Sequence, residues 1–308
     1  MIEDPIAHAA RLLRAGKLVA FPTETVYGLG ADASQADAVR RIFAVKRRPH
    51  TQPLTVHIGR TAKPDQWAHF NPDAVRLAEA FWPGPLTLIL PKKAHVPDIV
   101  VGGGDTVGLR MPAHPLCLDL LDQFGGGVAA PSANRHKGLS PTEAAHVHAE
   151  LGADVDYILD GGPCPVGIES TVLSLAGPSP VIFRSGAIPA EQIQHLLGRA
   201  VEQPKAPSAG YQINLQWEML PESQWAARLL QNSGPAAIFS KTKPKDCSPH
   251  HWIELPNSAQ ACGAMLFGTL RTLHAQNIRF VIIEPLPVHG AWAAIHDRLQ
   301  RIQPNTPR

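Results

Sequence analysis

Residues 18–33 read LVAFPTETVYGLGADA, and in this stretch an apolar run gives way abruptly to polar residues. The run over residues 18–21 predicts a short buried strand, which Pro22 ends. Hydroxyl and carboxylate side chains follow at Thr23, Glu24, Thr25 and Tyr27. Because ligand sites in α/β proteins collect where strands leave the core, the stretch predicts a binding loop.

Similar strand-like segments alternate with helix-like segments over about the first 200 residues, which predicts an α/β fold with a mixed sheet. The predicted strands cover residues 18–21, 53–58, 85–90, 106–110, 127–130, 155–159, 171–175 and 180–184.

The starts of three helices are predicted from capping residues. Ser34 is predicted to cap the first helix, and Asn71 is predicted to cap a helix that begins at Pro72. Ser140 is predicted to cap a third helix, with Pro141 at its first helical position.

The length of 308 residues predicts about two domains. We expect a larger α/β domain over residues 1–200 and a smaller α/β domain over residues 216–308. Residues 201–215 lack a periodic apolar pattern, which indicates a linker between them.

Composition narrows the possible functions. Lys plus Arg number 28 and Asp plus Glu number 26, so the net charge of +2 gives no argument for nucleic-acid binding by itself. The four cysteines form no CxxC pair, so neither a zinc ribbon nor a disulfide framework is indicated. The sequence shows no signal-peptide pattern and no apolar run near the ~18 residues that span a bilayer. We therefore expect a cytoplasmic protein that does not contact membranes.

Residues 28–33, GLGADA, match the loose dinucleotide-binding pattern G-x-G-x-x-G/A. The feature that would confirm this pattern is an acidic residue about 20 positions later. This chain has the basic stretch KRRPHTQ there, over residues 46–52, so the dinucleotide interpretation fails.

The basic run Lys46-Arg47-Arg48 has two interpretations. Its cations could complement the dipole at the end of a helix, or they could project from a loop toward a triphosphate, because Pro49 stops the helix. His57, inside a predicted strand, is either structural or a neutral hydrogen-bonding group for a small ligand.

Arg110 lies among apolar residues in a predicted strand that follows three glycines. A half-buried arginine needs a partner, and the carboxylate of a ligand is one candidate. The glycines form either a simple turn or a backbone nest for an anion. Further polar clusters occur near the ends of predicted elements, at residues 136–143, 169–171 and 184–186. Together these clusters predict a pocket rich in cations and hydroxyls but without an evident nucleophile, which suits transfer chemistry at phosphorus.

Seven motifs follow one another over roughly residues 8–198: FPTETVYGLGADA, KRRPHTQPLTVHI, WPGPLTLIL, DTVGLRMPAHP, APSAN with LSPT, GIESTV and FRSGAI. Together they resemble the YrdC-like threonylcarbamoyl-AMP synthases. The resemblance implies a YrdC-like catalytic domain with a twisted mixed sheet and helices on its faces. The segment after residue 258 looks like the accessory domain of the family's long members, which implies a smaller C-terminal α/β (Rossmann-like) domain.

The resemblance also implies a reaction. L-threonine, bicarbonate and ATP would give threonylcarbamoyl-adenylate and pyrophosphate, with Mg2+ carried by ATP and no metal bound by the protein itself. The product would pass to the tRNA threonylcarbamoyl transferase machinery, which makes N6-threonylcarbamoyladenosine. Binding of tRNA by this chain is expected to be weak or indirect.

Site residues are implied by their positions in the motifs. For L-threonine they are Thr25, His57, Arg110, the backbone of Ala130, and Ser170. For ATP they are Lys46, Arg48, Gln52, Thr106, Ser132, Ser140 and Arg184, with Tyr211 as a further candidate. Arg110 would pair with the carboxylate of the amino acid, and no residue is implied as a nucleophile or base.

Two positions depart from the family pattern. The linker of long members carries an HYAP-like run that closes over ATP, whereas this linker reads KAPSAGYQINLQ, with Tyr211 as its one tyrosine. Gln52 stands where asparagine is usual, and it keeps the amide.

Two other functions compete with the synthase interpretation. A non-catalytic RNA-binding module would use the basic residues for phosphate contacts, but it would leave the functions of Arg110 and His57 without an explanation. A carbamoyltransferase relative would form carbamoyl-adenylate from carbamoyl phosphate, and such proteins usually carry further large domains.

Overall fold

The computed structural model describes residues 4–203, 210–245 and 249–303. Nine strands in the first of these ranges form one mixed sheet. They are β1 (Val19–Phe21), β2 (Gly28–Asp32), β3 (Thr55–His57), β4 (Leu86–Pro91), β5 (Thr106–Arg110), β6 (Val128–Ala129), β7 (Tyr157–Ile158), β8 (Thr171–Ser174) and β9 (Val181–Arg184). Their order across the sheet is β7-β1-β2-β6-β3-β5-β4-β8-β9.

Helices connect these strands. They are α1 (Pro5–Arg14), α2 (Ala36–Lys46), α3 (Pro72–Phe81), α4 (Asp98–Val101), α5 (Pro115–Phe124), α6 (Ala144–Leu151) and α7 (Ala190–Leu197). Short 3-10 turns occur at Pro64–Gln66 and Gly152–Asp154.

Successive side chains of the strands pack into two different apolar clusters, because side chains alternate between the faces of a sheet. In β1, Val19 and Phe21 pack with α1 and α5, whereas Ala20 belongs to the larger cluster. That larger cluster also holds buried side chains of α2, α3 and α7, together with Val56, Leu88 and others from the middle strands. One face of the sheet is thus covered by α2, α3 and α7, and part of the other by α1 and α5.

The C-terminal part is a smaller α/β unit. Its parallel sheet has the order β11-β14-β12-β13, and two further short strands, β10 and β15, pair in parallel. Its elements are β10 (Tyr211–Gln212), β11 (Gln216–Met219), α8 (Glu222–Leu230), β12 (Ala236–Ser240), β13 (His251–Glu254), α9 (Ala259–Ala275), β14 (Phe280–Ile283), α10 (Trp292–Gln300) and β15 (Ile302–Gln303).

The two parts share an apolar core. Val26, Leu139 and Ile168, from three loops of the first part, pack into the cluster formed by α9, α10 and the strands of the C-terminal part. The backbones also approach closely, because a Cβ placed on Gly167 would lie 2.4 Å from the Cα of Ala264. The C-terminal part is therefore packed against the loops of the first part.

The predicted fold class is confirmed, since a large mixed sheet with helices and a smaller C-terminal unit with a parallel sheet are present. Each of the eight predicted strands overlaps an observed strand, and seven contain it completely, because β4 extends one residue past the predicted end, to Pro91. The GLGADA stretch, for which no strand was predicted, forms β2, antiparallel to β1. The absence of a side chain at Gly30 lets β2 pack beside β1, because a Cβ at that position would lie 2.6 Å from the ring of Phe21.

Of the three predicted helix caps, the Asn71 cap is confirmed: its Oδ1 accepts a hydrogen bond from Ala74 N at 2.8 Å. The Ser34 cap is wrong, because the Ser34 hydroxyl donates instead to the carboxylate of Asp32 at 2.6 Å. The Ser140 cap is also wrong, because α6 begins only at Ala144.

The predicted linker falls partly outside the described residues, since 204–209 are not described. Within it, β10 pairs with β15. The boundaries predicted for the two domains and the linker stay predictions. In the described part of the chain, every helix is too short or too polar to traverse a bilayer.

Gly167 tests the close packing of the two parts. Gly167→Ala is expected to lower the free energy of unfolding by more than about 2 kcal/mol, because the methyl group would clash with backbone atoms and the residue has φ +72°. Gly198→Ala is the matched control, because Gly198 has φ +67° but nothing within 4 Å of its Cβ position. It should lose only about 1 kcal/mol, from backbone strain. Equal losses in the two variants, measured by denaturant unfolding, would contradict the close approach.

Candidate active site

A cavity of about 280 Å³ lies against the middle strands of the large sheet. Its lining residues come from the loop after β1, the segment before β3, strands β2, β3, β4, β5, β8 and β9, and the loops after β6 and before β8. They are Thr23, Thr25, Val26, Gly28, Arg48, Pro53, Leu54, Thr55, His57, Thr87, Ile89, Thr106, Gly108, Arg110, Ala130, Pro131, Ser132, Glu169, Ser170, Val172 and Arg184.

Strand alternation explains why these positions line the cavity. In β5, Thr106, Gly108 and Arg110 line it, whereas the intervening Val107 and Leu109 belong to the apolar cluster on the other face. The same alternation holds in β3 and β4. The cavity therefore occupies the face opposite to the one that α2, α3 and α7 cover.

The register of the strands orders these residues into rows. His57 lies beside Arg110, and Thr55 lies beside Gly108 on the adjacent strand. Thr106 is four residues from Arg110, which is about 13 Å along a strand. The polar face is therefore long enough for an amino acid next to a nucleotide.

The loop after β1 is folded by one hydroxyl. Thr23 Oγ1 donates to Val26 O at 2.7 Å and accepts the backbone N–H groups of Thr25 and Val26, both at 3.1 Å. It also shares a hydrogen bond of 2.8 Å with Thr25 Oγ1. This turn places Thr25 at the cavity and Val26 between the cavity and the C-terminal core.

Arg110 has a partner within the protein. Its Nη2 lies 2.7 Å from Glu24 Oε1, and both side chains are almost completely buried. Its Nε also donates to Gly84 O at 3.3 Å. Arg110 thus already pairs with a carboxylate of the protein, but it still lines the cavity.

His57 is neutral at physiological pH. Burial, and then the positive charge of Arg110, lower the pKa of His57 to about 3. The ring packs edge-on against Phe21, with 6.0 Å between the ring centroids. Within the described part of the chain, His57 Nδ1 has no hydrogen-bond partner.

Two cations of the basic run, Lys46 and Arg48, occupy different positions relative to the cavity. Arg48 lines the cavity, and its Nη2 donates to Pro53 O at 3.0 Å. Lys46 is buried behind the cavity, where its Nζ donates to Ser132 O at 2.6 Å and also to Asn134 O. Burial, and then the charge of Arg48, lower the pKa of Lys46 to about 7. Lys46 thus holds the loop after β6 from behind.

Glu169 is the one carboxylate among the described residues that line the cavity. Its Oε1 accepts hydrogen bonds from Ser140 Oγ at 2.6 Å and from the Tyr211 hydroxyl at 3.2 Å. Its Oε2 accepts a hydrogen bond from Arg298 Nε at 2.6 Å. Burial acts to raise the pKa of Glu169, but the charges of Arg298 and Arg184 and these hydrogen bonds hold it well below its usual range.

Arg184 is oriented by the residue that follows Glu169. Its Nε donates to Ser170 O and its Nη2 to Ser170 Oγ, each at 3.0 Å. Ser170 Oγ also shares a hydrogen bond of 2.8 Å with Thr87 Oγ1. Burial, opposed by the charge of Glu169, lowers the pKa of Arg184 to about 10, so the guanidinium is charged at neutral pH.

The cavity brings together all five residues predicted for threonine and four of those predicted for ATP. The lining residues are Thr25, His57, Arg110, Ala130 and Ser170 from the first set, and Arg48, Thr106, Ser132 and Arg184 from the second. The others predicted for ATP do not line it: Lys46, Gln52, Ser140 and Tyr211. The N–H of Ala130 already donates to Thr55 O at 2.9 Å, so its carbonyl is the backbone group that a ligand could use. The assignment of each residue to threonine or ATP stays a prediction.

For several residues at or beside the cavity, the sequence analysis predicted no role or no partner. Thr55 and Thr87 line the cavity from inside strands, and the strand alternation in LTVHI and PLTLIL was the signal that could have revealed them. Glu24 stands in the opening motif, but its partner Arg110 is distant in sequence. Glu169 stands in GIESTV, but nothing in the sequence indicates that Arg298 contacts it.

Comparisons with known proteins agree with this architecture. A family model for Sua5, YciO and YrdC proteins, described as "Telomere recombination", matches residues 11–186. A second, described as "Threonylcarbamoyl-AMP synthase, C-terminal domain", matches residues 188–301.

Relatives in other organisms include proteins named threonylcarbamoyl-AMP synthase. One from Bacillus subtilis is 38% identical over 97% of this chain and 93% of its own length. One from Pyrococcus abyssi is 45% identical over 68% of this chain, and the matched region spans 65% of that relative. The crystal structure of P. abyssi Sua5 complexed with L-threonine superposes with a TM-score of 0.87 at 34% identity, over 96% of this chain and 93% of that one.

The neutral His57 predicts a dependence of stability on pH. Because its pKa is about 3 in the folded protein against an ordinary 6.5, the unfolded state binds the extra proton between these values. The contribution of His57 to stability is therefore complete above about pH 6.5 and is lost on acidification. Between pH 7 and pH 5, His57→Gln should lose about 2 kcal/mol less unfolding free energy than the parent protein.

Denaturant unfolding at the two pH values measures this difference. His148→Gln, on the exposed side of α6, controls for the loss of one histidine. If His57→Gln and the parent lose equal amounts of unfolding free energy between pH 7 and pH 5, His57 takes up its proton in the folded protein as readily as in the unfolded chain.

Proposed function

Because the chain belongs to the Sua5/YrdC family and matches both the catalytic and the C-terminal models, we propose that it is a threonylcarbamoyl-AMP synthase. Its substrates would be L-threonine, bicarbonate and the magnesium complex of ATP. The observation that supports the proposal most is that a single polar cavity is lined both by the neighbouring residues Arg110 and His57 and by the cations Arg48 and Arg184.

The chemistry joins three substrates. The free amine of threonine forms a bond to the carbon of carbon dioxide and releases one proton; with bicarbonate instead, that proton leaves with the displaced hydroxide as water. A carbamate oxygen of the product then attacks the α-phosphorus of ATP. The bond from that phosphorus to the bridging oxygen of the β-phosphate breaks, and pyrophosphate leaves with its magnesium.

Three arginines supply the charge that this reaction needs. Arg110 would bind the threonine carboxylate through the part of its guanidinium that Glu24 and Gly84 do not use. Arg48 and Arg184 would bind phosphate oxygens, where cations stabilise the charge that develops during transfer. The neutral ring of His57 would exchange hydrogen bonds with the amino acid.

Covalent catalysis has little support in this cavity. The described cysteines, Cys117, Cys164 and Cys262, are buried and do not line it. Burial raises the pKa of Cys164 to about 12 and that of Cys262 to about 11, so these thiols stay protonated. Positioning and charge stabilisation are therefore the contributions that we assign to the protein.

The product would be consumed by a transferase that modifies adenosine in tRNA. Direct tRNA binding would be weak, because the net charge is only +2. We expect the protein to act in the cytoplasm.

Pyrophosphate release from ATP by the purified chain tests the reaction. We expect release that requires both L-threonine and bicarbonate, because the phosphorus is attacked only by the carbamate they form. Release without either substrate, or no release at all, would contradict the synthase proposal.

The Arg110–Glu24 pair tests the threonine site. Arg110→Met alone should cost about 3–5 kcal/mol of stability, because it leaves a buried carboxylate unpaired. The double variant Glu24→Gln/Arg110→Met removes both charges and should fold. Its KM for threonine should rise by about 100-fold, from the loss of charge-assisted hydrogen bonds, while its KM for ATP changes little.

The matched control is Arg60→Met, because Arg60 is exposed and pairs with Asp119 and Asp122, and none of the three lines the cavity. It should leave both KM values unchanged. A folded double variant with the parent KM for threonine would remove Arg110 from the threonine site.

A further inference from the structure

Glu169 presents an electrostatic problem for the proposed function. A cavity that binds the triphosphate of ATP should not contain a free carboxylate, since it would repel the ligand and compete for the cations that bind it. Glu169 nevertheless lines the cavity, next to Ser170 and near Arg184. The charge of this carboxylate must therefore be neutralised by the protein.

Arg298 supplies that neutralisation from the C-terminal part. It lies on α10, its side chain is 0% exposed, and its Nε donates to Glu169 Oε2 at 2.6 Å. Its Nη1 also contacts Asp297, which in turn pairs with Arg301 at 2.8 Å. A charged network of the second unit thus reaches the cavity wall of the first.

The remaining contacts show which other groups compete for Glu169. Ser140 and Tyr211 donate to Oε1, and both are neutral donors. Arg184 is the second cation whose charge acts on Glu169. In the structure, however, Arg184 Nε and Nη2 donate their hydrogen bonds to the oxygens of Ser170 and not to Glu169.

Domain attachment alone does not explain the Arg298–Glu169 pair. A buried ion pair adds little net stability, because the cost of desolvating both charges offsets their attraction. Apolar contacts of Val26, Leu139 and Ile168 already join the two parts. A second ion pair, Arg271 Nη2 with Glu150 Oε2 at 2.8 Å, also spans them.

We propose that Arg298 is a positioning residue for the nucleotide site: it holds the Glu169 carboxylate away from Arg184, and so keeps that guanidinium available to phosphate. The inference rests on the proposed function, because it needs a polyphosphate ligand in the cavity. It gives the C-terminal unit a direct part in nucleotide binding. Without Arg298, Glu169 turns to Arg184 and neutralises it.

Equilibrium binding to the full chain tests this, with a non-hydrolysable ATP analogue plus Mg2+ as one probe and L-threonine as the other. Arg298→Met and Arg298→Gln both remove the charge, so one can replace the other if it does not fold. We expect the affinity for the analogue to fall by about tenfold or more. The affinity for threonine should change less than about twofold.

A double-mutant cycle separates positioning from packing. Glu169→Gln removes the competing charge, so Arg298→Met should have no further effect on analogue binding in that background. Arg271→Met breaks the other ion pair between the two parts and should leave analogue binding unchanged. It is therefore the control for weakened attachment of the C-terminal unit.

Two results would overturn the role of Arg298. One is parent-like analogue binding in folded Arg298→Met or Arg298→Gln. The other is equally weak binding in Glu169→Gln/Arg298→Met and in Arg298→Met, which would mean that Arg298 acts only by packing. Failure of the parent protein itself to bind the analogue would instead count against the proposed function.

Discussion

Side chains on neighbouring positions of a strand point to opposite faces of the sheet, and this constraint determines where a site can form in the protein. Strands β3, β4, β5 and β8 place apolar residues on the face that α2, α3 and α7 cover. Their alternate residues line a cavity on the other face, and apart from Ile89 and Val172 these residues are polar or glycine. The same strands therefore build the core and the site at once. A change of register by one residue in β5 would exchange Arg110 with Leu109 and destroy both.

The sequence predicted most strands of the large sheet, because strands depend on local patterns of apolar residues. The residues proposed for threonine binding came from their positions in the family's motifs, and their roles stay predictions. The strand around Arg110 is apolar at alternate positions, and the polar loop after β1 follows a clear strand end. Long-range contacts were not predictable in this way. Ser140 was predicted to cap a helix, but α6 begins only at Ala144 and the Ser140 hydroxyl donates to the buried carboxylate of Glu169, a residue 29 positions later in the chain. The partner of Arg110 is also a residue of the protein, Glu24, and no pattern within either motif reveals that pair.

Both parts of the chain supply the buried charges around the cavity. Glu24 partly offsets Arg110, and Glu169 is offset from the C-terminal part by Arg298. Lys46 holds the loop after β6 from behind, so that Arg48, Arg110 and Arg184 are the cations among the described residues that line the cavity. In this arrangement Tyr211 lies behind Glu169 and does not line the cavity. Among the described residues the C-terminal part supplies none that lines the cavity, but it packs against three of the loops that do.

The central claim is that one face of the large sheet binds L-threonine and the nucleotide side by side. A crystal structure with L-threonine and a non-hydrolysable ATP analogue tests it most directly. We predict the threonine carboxylate within hydrogen-bonding distance of Arg110, and the phosphates of the analogue against Arg48 and Arg184. Either ligand bound away from this cavity would contradict that arrangement.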